Sequence, residues 1–102
     1  MSDYIVKLQY KNKDYYAEWS TIVDAPTTYF MRLEQFYNYY KDEYGNNGMN
    51  DLTQRLDRVQ VTGCSAYDKT LDDLLAWNRA GKNGGCIHTQ KGLYLKYKVP
   101  NR

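Results

Sequence analysis

The chain has 102 residues, 25% of them charged and 42% hydrophobic, with a formal net charge of +2. That is room for a single soluble domain over residues 1–102 with one core, and so small a net charge is weak for phosphate binding. The uninterrupted apolar runs are too short for a transmembrane helix. The opening Met-Ser-Asp-Tyr-Ile-Val-Lys lacks the basic and apolar regions of a signal peptide, and two cysteines, Cys64 and Cys86, are too few for a secreted disulfide framework. The cytoplasm is the expected setting.

The first elements follow from alternation. Tyr4, Val6, Leu8 and Tyr10 share one face of residues 4–10, with Lys7 and Gln9 on the other, the pattern of a half-buried strand. Lys11-Asn12-Lys13 is a turn in which Asn12 takes an unusual conformation. Tyr15, Ala17, Trp19 and Thr21 then alternate with Tyr16, Glu18 and Ser20, which completes a β-hairpin. Pro26 breaks the second strand, and Asp24, Thr27 or Thr28 is placed to cap a following helix.

That helix is expected over residues 29–44. Tyr29, Leu33, Phe36, Tyr37, Tyr40 and Tyr44 fall on one side of a 100° wheel, and Gly45 ends it. After a loop at 45–48, Met49, Leu52, Leu56 and Val59 predict a second helix over 50–58 capped by Asn50. Alternation over 58–62 predicts a third strand ending at Gly63. Thr70 with Asp73 resembles a capping box. It opens a third helix whose apolar side is Leu71, Leu74, Leu75 and Trp77 and which Gly81 ends. Gly81-Lys-Asn-Gly-Gly85 is read as a flexible turn. A tight turn at Gln90-Lys-Gly92 then joins 86–89 to the alternating strand 93–99. The predicted order is β-β-α-α-β-α-β-β: an α+β domain whose antiparallel sheet is built from N- and C-terminal hairpins with about three helices between.

Chemistry is sparse. Cys86 and the chain's one histidine, His88, are two apart and would share a strand face. A catalytic pair needs an orienting third group, and a zinc site needs paired ligand spacing; neither is present. Asp72-Asp73 and Asp42-Glu43 are adjacent on helices, pointing about 100° apart, so neither is a ready acid/base dyad. No cofactor or metal is expected. Aromatics reach 16%, with twelve tyrosines, and tyrosine suits both half-buried core edges and interfaces. From Arg79 onward there are six bases and no acid (Arg79, Lys82, Lys91, Lys96, Lys98, Arg102). The preceding residues hold the other eight bases and all twelve acids, a net of −4.

Several segments resemble small orphan proteins encoded by bacteriophages: Trp19-Ser-Thr-Ile-Val-Asp-Ala-Pro26, Leu33-Glu-Gln-Phe-Tyr-Asn-Tyr-Tyr-Lys-Asp-Glu-Tyr-Gly45, Arg55-Leu-Asp-Arg-Val59 and Leu71-Asp-Asp-Leu-Leu-Ala-Trp-Asn-Arg-Ala-Gly81. The likeness lies in size, tyrosine and asparagine usage and α+β plan, and carries no residue roles. It implies a protein that binds and blocks a host protein, as anti-CRISPR proteins and other defence inhibitors do. The leading expectation is therefore a non-enzymatic inhibitor of a host protein or protein–nucleic-acid complex. Tyr16, Tyr39 and Tyr94 serve as anchors, and Lys91, Lys96 and Lys98 steer it toward an acidic surface. The alternative is a nucleic-acid-binding accessory protein using the same Tyr94 and lysine face as a stacking platform. An enzyme centred on Cys86 and His88, or an assembly subunit, ranks behind both.

Overall fold

The computed structural model describes residues 3–100; Arg102 of the basic run lies outside them. Strand β1 (Asp3–Tyr10) pairs antiparallel with β2 (Lys13–Ser20), from Asp3 opposite Ser20 to Tyr10 opposite Lys13. Lys11 and Asn12 both take positive φ, 50° and 64°, the backbone of a turn whose twist matches the strands it joins. The N-terminal hairpin is as expected. Pro26 sits where a missing donor does least harm, in the two-residue edge strand β3 (Ala25–Pro26) beside Trp19 and Ser20.

Both faces of this sheet are covered. Val6, Leu8, Ala17 and Trp19 pack with Leu71, Leu74, Leu75 and Leu93 on one side. Ile5 and Tyr16 pack with Phe36, Tyr40, Leu52 and Val59 on the other. The domain is α+β, but its strands are not half-buried: Ile5, between Tyr4 and Val6, is as fully enclosed as Val6.

Helix α1 (Leu33–Thr62) replaces the expected helix, loop, helix and third strand. It begins later than residue 29, because Met31 exchanges backbone hydrogen bonds with Tyr16 (2.7 and 2.8 Å) and Phe30 donates to the Tyr97 carbonyl. Gly45 does not end it but breaks it, with φ 64° and ψ −163°, a conformation open to glycine and strained for other residues. The helix resumes at once and reaches Gly63, whose N–H closes the last turn on the Val59 carbonyl at 2.8 Å. The strand expected over 58–62 is therefore helical. Its alternation would place Val59 and Val61 on one face, whereas Val59 is fully buried and Val61 is 83% exposed. The longer 3.6-residue pattern through Leu52, Arg55 and Val59 overrides five alternating residues. The inward side of the first segment is also narrower than expected. Phe36 and Tyr40 are buried, while Tyr29, Leu33 and Tyr37 face solvent.

Thr70 and Asp73 form the expected capping box (3.2 and 2.9 Å) at the start of α2 (Leu71–Ala76). This helix stops before Trp77 rather than at Gly81, because Asn78 turns its amide onto the Leu74 and Ile87 carbonyls (2.8 and 2.7 Å). A 3₁₀ turn (Lys82–Gly84) follows.

The C-terminal hairpin is absent, and helix α3 (Gln90–Tyr97) stands in its place. Thr89 caps it, accepting from the Gly92 N–H at 3.0 Å. Gly92 serves this cap rather than a β-turn: a methyl there would lie 2.9 Å from Thr89 Oγ1 and 3.0 Å from Ile87 Cγ2. Leu93 and Tyr97, read as alternating, are also four apart, and a helix satisfies both spacings. Leu95 decides it, being 44% exposed while Leu93 is buried.

Candidate functional site

The densest polar chemistry lies under α1. Alternation along β2 turns Glu18 to the same side as Tyr16, beneath the helix, where it is 1% exposed. Burying a carboxylate is costly unless donors replace its water. Tyr39 donates its hydroxyl to Oε1 at 2.5 Å, and Tyr44 donates to the carboxylate at 2.8 and 2.7 Å. Among the described residues these two hydroxyls are the carboxylate's hydrogen-bond partners. Burial, and next the bond to Glu18, push both tyrosine hydroxyls well above the ordinary tyrosine value. Ionising either would set a second negative charge against the first. The backbone of Glu18 is tied to the next segment: its N–H donates to Thr28 Oγ1 (3.0 Å) and its carbonyl accepts from the Thr27 N–H (2.9 Å).

Thr27, Thr28 and Tyr39 also line a mainly apolar groove of about 560 Å³, together with Pro26, Tyr29, Met31, Tyr97 and Val99. Three of its walls are thus hydrogen-bonded to Glu18.

A second surface lies beside the C-terminal half of α1. The Arg58 guanidinium stacks 4.2 Å from the centroid of the Tyr67 ring, fixed by an Nε–H bond to the Ser65 carbonyl at 2.7 Å. Tyr67 is 87% exposed, and with Arg58 and Val61 it borders a shallow pocket of about 380 Å³. A polar cleft of about 340 Å³ adjoins, reaching Tyr4 past Arg55 and Asp51. Arg55 is buried there, donating to Tyr40 Oη (2.5 Å) and the Asp3 carbonyl (2.7 Å). Tyr4 also borders a third cleft, which ends at Trp77, 62% exposed. Arg58 and Tyr67 border the first two depressions, and Trp77 borders the third, which shares Tyr4 with the second.

The expected anchors are not brought together. Tyr16 is a core residue, 3% exposed, its hydroxyl accepting from Gln60 Nε2; it is no anchor. Tyr39 lines the groove. Lys91 is exposed on α3, and Lys98 is half-buried beside Phe30. Lys96 is tied down, its ammonium donating to the Ala80 carbonyl at 2.6 Å. Tyr94 stacks on Tyr10 (centroids 4.5 Å, 18° between planes) and leans on Tyr15. The strand face expected to display Tyr94 between lysines is a helix, and the ring is already stacked.

Cys86 and His88 do meet, Sγ to Nδ1 at 3.5 Å. The same Nδ1 lies 2.8 Å from the Leu75 carbonyl. A carbonyl only accepts, so Nδ1 carries the proton and cannot take one from the thiol. Cys86 Sγ accepts from the Asn78 N–H at 3.3 Å. The pair thus finishes the end of α2. Burial pushes the Cys64 thiol up, away from reactivity. No group of three metal-ligating side chains occurs among the described residues, and no helix among them is long and apolar enough to cross a membrane.

Arg58, Tyr67 and Trp77 were missed by sequence reasoning. A signal existed for Trp77: after Leu71, Leu74 and Leu75 the next in-phase position is Asn78, which is buried, leaving Trp77 off the stripe. Tyr67 is a lone aromatic in an otherwise small and polar loop, a weaker signal. Comparison with protein-family models, curated proteins and solved structures finds no match to this chain.

Proposed function

We propose that this chain is a non-enzymatic binding protein that docks on a partner protein through the face bearing Arg58, Tyr67 and Trp77, and occludes what it covers. The observation that carries this reading is the display of tyrosine and tryptophan in solvent, Tyr67 87% and Trp77 62% exposed, with the half-buried Arg58 set against the Tyr67 ring. These residue types dominate binding energies at interfaces. The stacked Arg58 and Tyr67 support it further, since side chains ordered before contact lose less freedom on binding. So does His88, whose engaged Nδ1 removes the chain's one imidazole from service as a base toward Cys86. The partner class proposed is a host protein or protein–nucleic-acid complex, on the resemblance to phage-encoded inhibitors.

The test is affinity capture from bacterial lysate, with and without nuclease, comparing the native chain with a Tyr67→Ala/Trp77→Ala double variant. Both positions are exposed, so the variant should retain the native melting temperature. The expected result is a protein retained after nuclease by the native chain and lost by the variant. Equal retention by the variant would remove this face from the reading. Loss on nuclease treatment would move it to nucleic acid.

A further inference from the structure

The groove at the N-terminal end of α1 is a separate feature, independent of the Arg58 and Tyr67 face. We propose that it receives a cationic side chain, an ammonium or guanidinium, from a protein partner. Tyr29, Tyr39 and Tyr97 line it, and aromatic faces attract cations within about 6 Å of the ring centroid. The Tyr97 ring already holds the Lys96 ammonium, 5.5 Å from its centroid, which leaves Tyr29 and Tyr39 to the partner's cation. Behind them sits a carboxylate. Glu18 is enclosed and held by two neutral hydroxyls, Tyr39 itself supplying one.

Among the described residues no lysine or arginine bonds that carboxylate, and a charge enclosed in this way is little screened by water. A positive group seated against Tyr39 would supply the missing opposite charge. Glu43, one helical turn beyond Tyr39, adds a second negative charge on that side of the helix. No basic side chain is among the groove's lining residues. Tyr97 and Val99 line it, and Lys98 between them does not. At about 560 Å³ the groove is within the usual size of a ligand site. Its apolar walls suit the methylene stem of a lysine or arginine, which buries its carbons while its head finds charge. A purely apolar occupant would leave the charge of Glu18 unanswered; a cation answers it.

The experiment uses two probes of the same shape: choline, and 3,3-dimethyl-1-butanol, in which carbon replaces the charged nitrogen. Each is titrated into the isotope-labelled chain and followed by backbone and tyrosine-ring resonances. The expected result is that choline moves signals of Tyr29 and Tyr39 and binds about tenfold or more tightly than its neutral counterpart. In Glu18→Gln, which keeps the shape and removes the charge, that preference should fall to near unity. Should that variant fail to fold, Tyr29→Leu at a half-exposed position is expected to weaken choline several-fold while sparing the alcohol. Equal affinity for the two probes in the native chain would overturn the proposal, as would shifts confined to other surfaces. An undiminished preference in Glu18→Gln would overturn the role of the carboxylate.

Discussion

Tyr39 and Glu18, twenty-one residues apart, are joined by a 2.5 Å hydrogen bond between the first turns of α1 and the second strand. This bond, with its companion from Tyr44, explains which side of the helix faces the sheet. The hydroxyls must reach a carboxylate that β2 has already turned inward. Phe36 and Tyr40 lie on that side and fill the space around it, while Tyr29, Leu33 and Tyr37 are left outside.

Removing the donor should be costly. Tyr39→Phe leaves Glu18 with Tyr44 alone, and loss of a bond to a buried charged group is expected to lower stability by about 1–3 kcal/mol, read from urea unfolding at neutral pH. The alkaline limb gives an independent check. The folded chain holds the Tyr39 and Tyr44 protons above the ordinary tyrosine value, so above about pH 10 the unfolded chain releases protons that the folded chain keeps. Their contribution to stability is then complete below about pH 10 and is lost as pH rises beyond it. In Tyr39→Phe the decline should be shallower by up to about 1.4 kcal/mol per pH unit. Parallel declines in the two proteins would show that the bond does not hold this proton.

Val59 and Val61 test the helix against the strand expected there. Val59 is fully buried and Val61 is 83% exposed. Val61→Ala should change stability by no more than about 0.5 kcal/mol. Leu52→Ala, on the same inward side as Val59, should cost about 2–5 kcal/mol. Paired thermal or chemical melts decide it, and a large cost at Val61 would restore the strand.

The contrast between the two ends of the chain shows what a short pattern can carry. In the N-terminal hairpin, alternation agrees with a turn residue, Asn12, that accepts the positive φ it takes, so two independent signals coincide. At the C-terminus, Leu93, Leu95, Tyr97 and Val99 alternate equally well, but Thr89 caps a helix and Gly92 makes room for that cap. Capping chemistry won over periodicity. The Thr70 and Asp73 box was legible because it is local. The Glu18 site was not, because its three side chains come from β2 and from two turns of α1, and no local rule joins them. Tyr39 was singled out only as a ring standing off the expected stripe.

His88 and Cys86 yield a prediction that separates capping from catalysis. His88→Ala and Cys86→Ala each remove a contact at the end of α2 and should lower stability by about 0.5–1.5 kcal/mol, the worth of an ordinary hydrogen bond. Partner capture should be unaffected by either change, and also by alkylation of the native thiols if the melting temperature is held. Loss of function without loss of stability would return the pair to candidacy as a reactive site.

Arg58 offers the sharpest test of the proposed interface, because its geometry depends on a plane and not only on a charge. The guanidinium lies 4.2 Å from the Tyr67 ring centroid while its Nε–H holds the Ser65 carbonyl. A lysine ammonium keeps the charge but can neither stack as a plane nor present the same fork. Arg58→Lys should therefore weaken partner binding nearly as much as Arg58→Ala, by about tenfold or more. A double-mutant cycle with Tyr67→Ala should show coupling of about 0.5–3 kcal/mol, the range for residues in contact. If lysine restores affinity in full, Arg58 acts through charge alone, and the stack is incidental to binding.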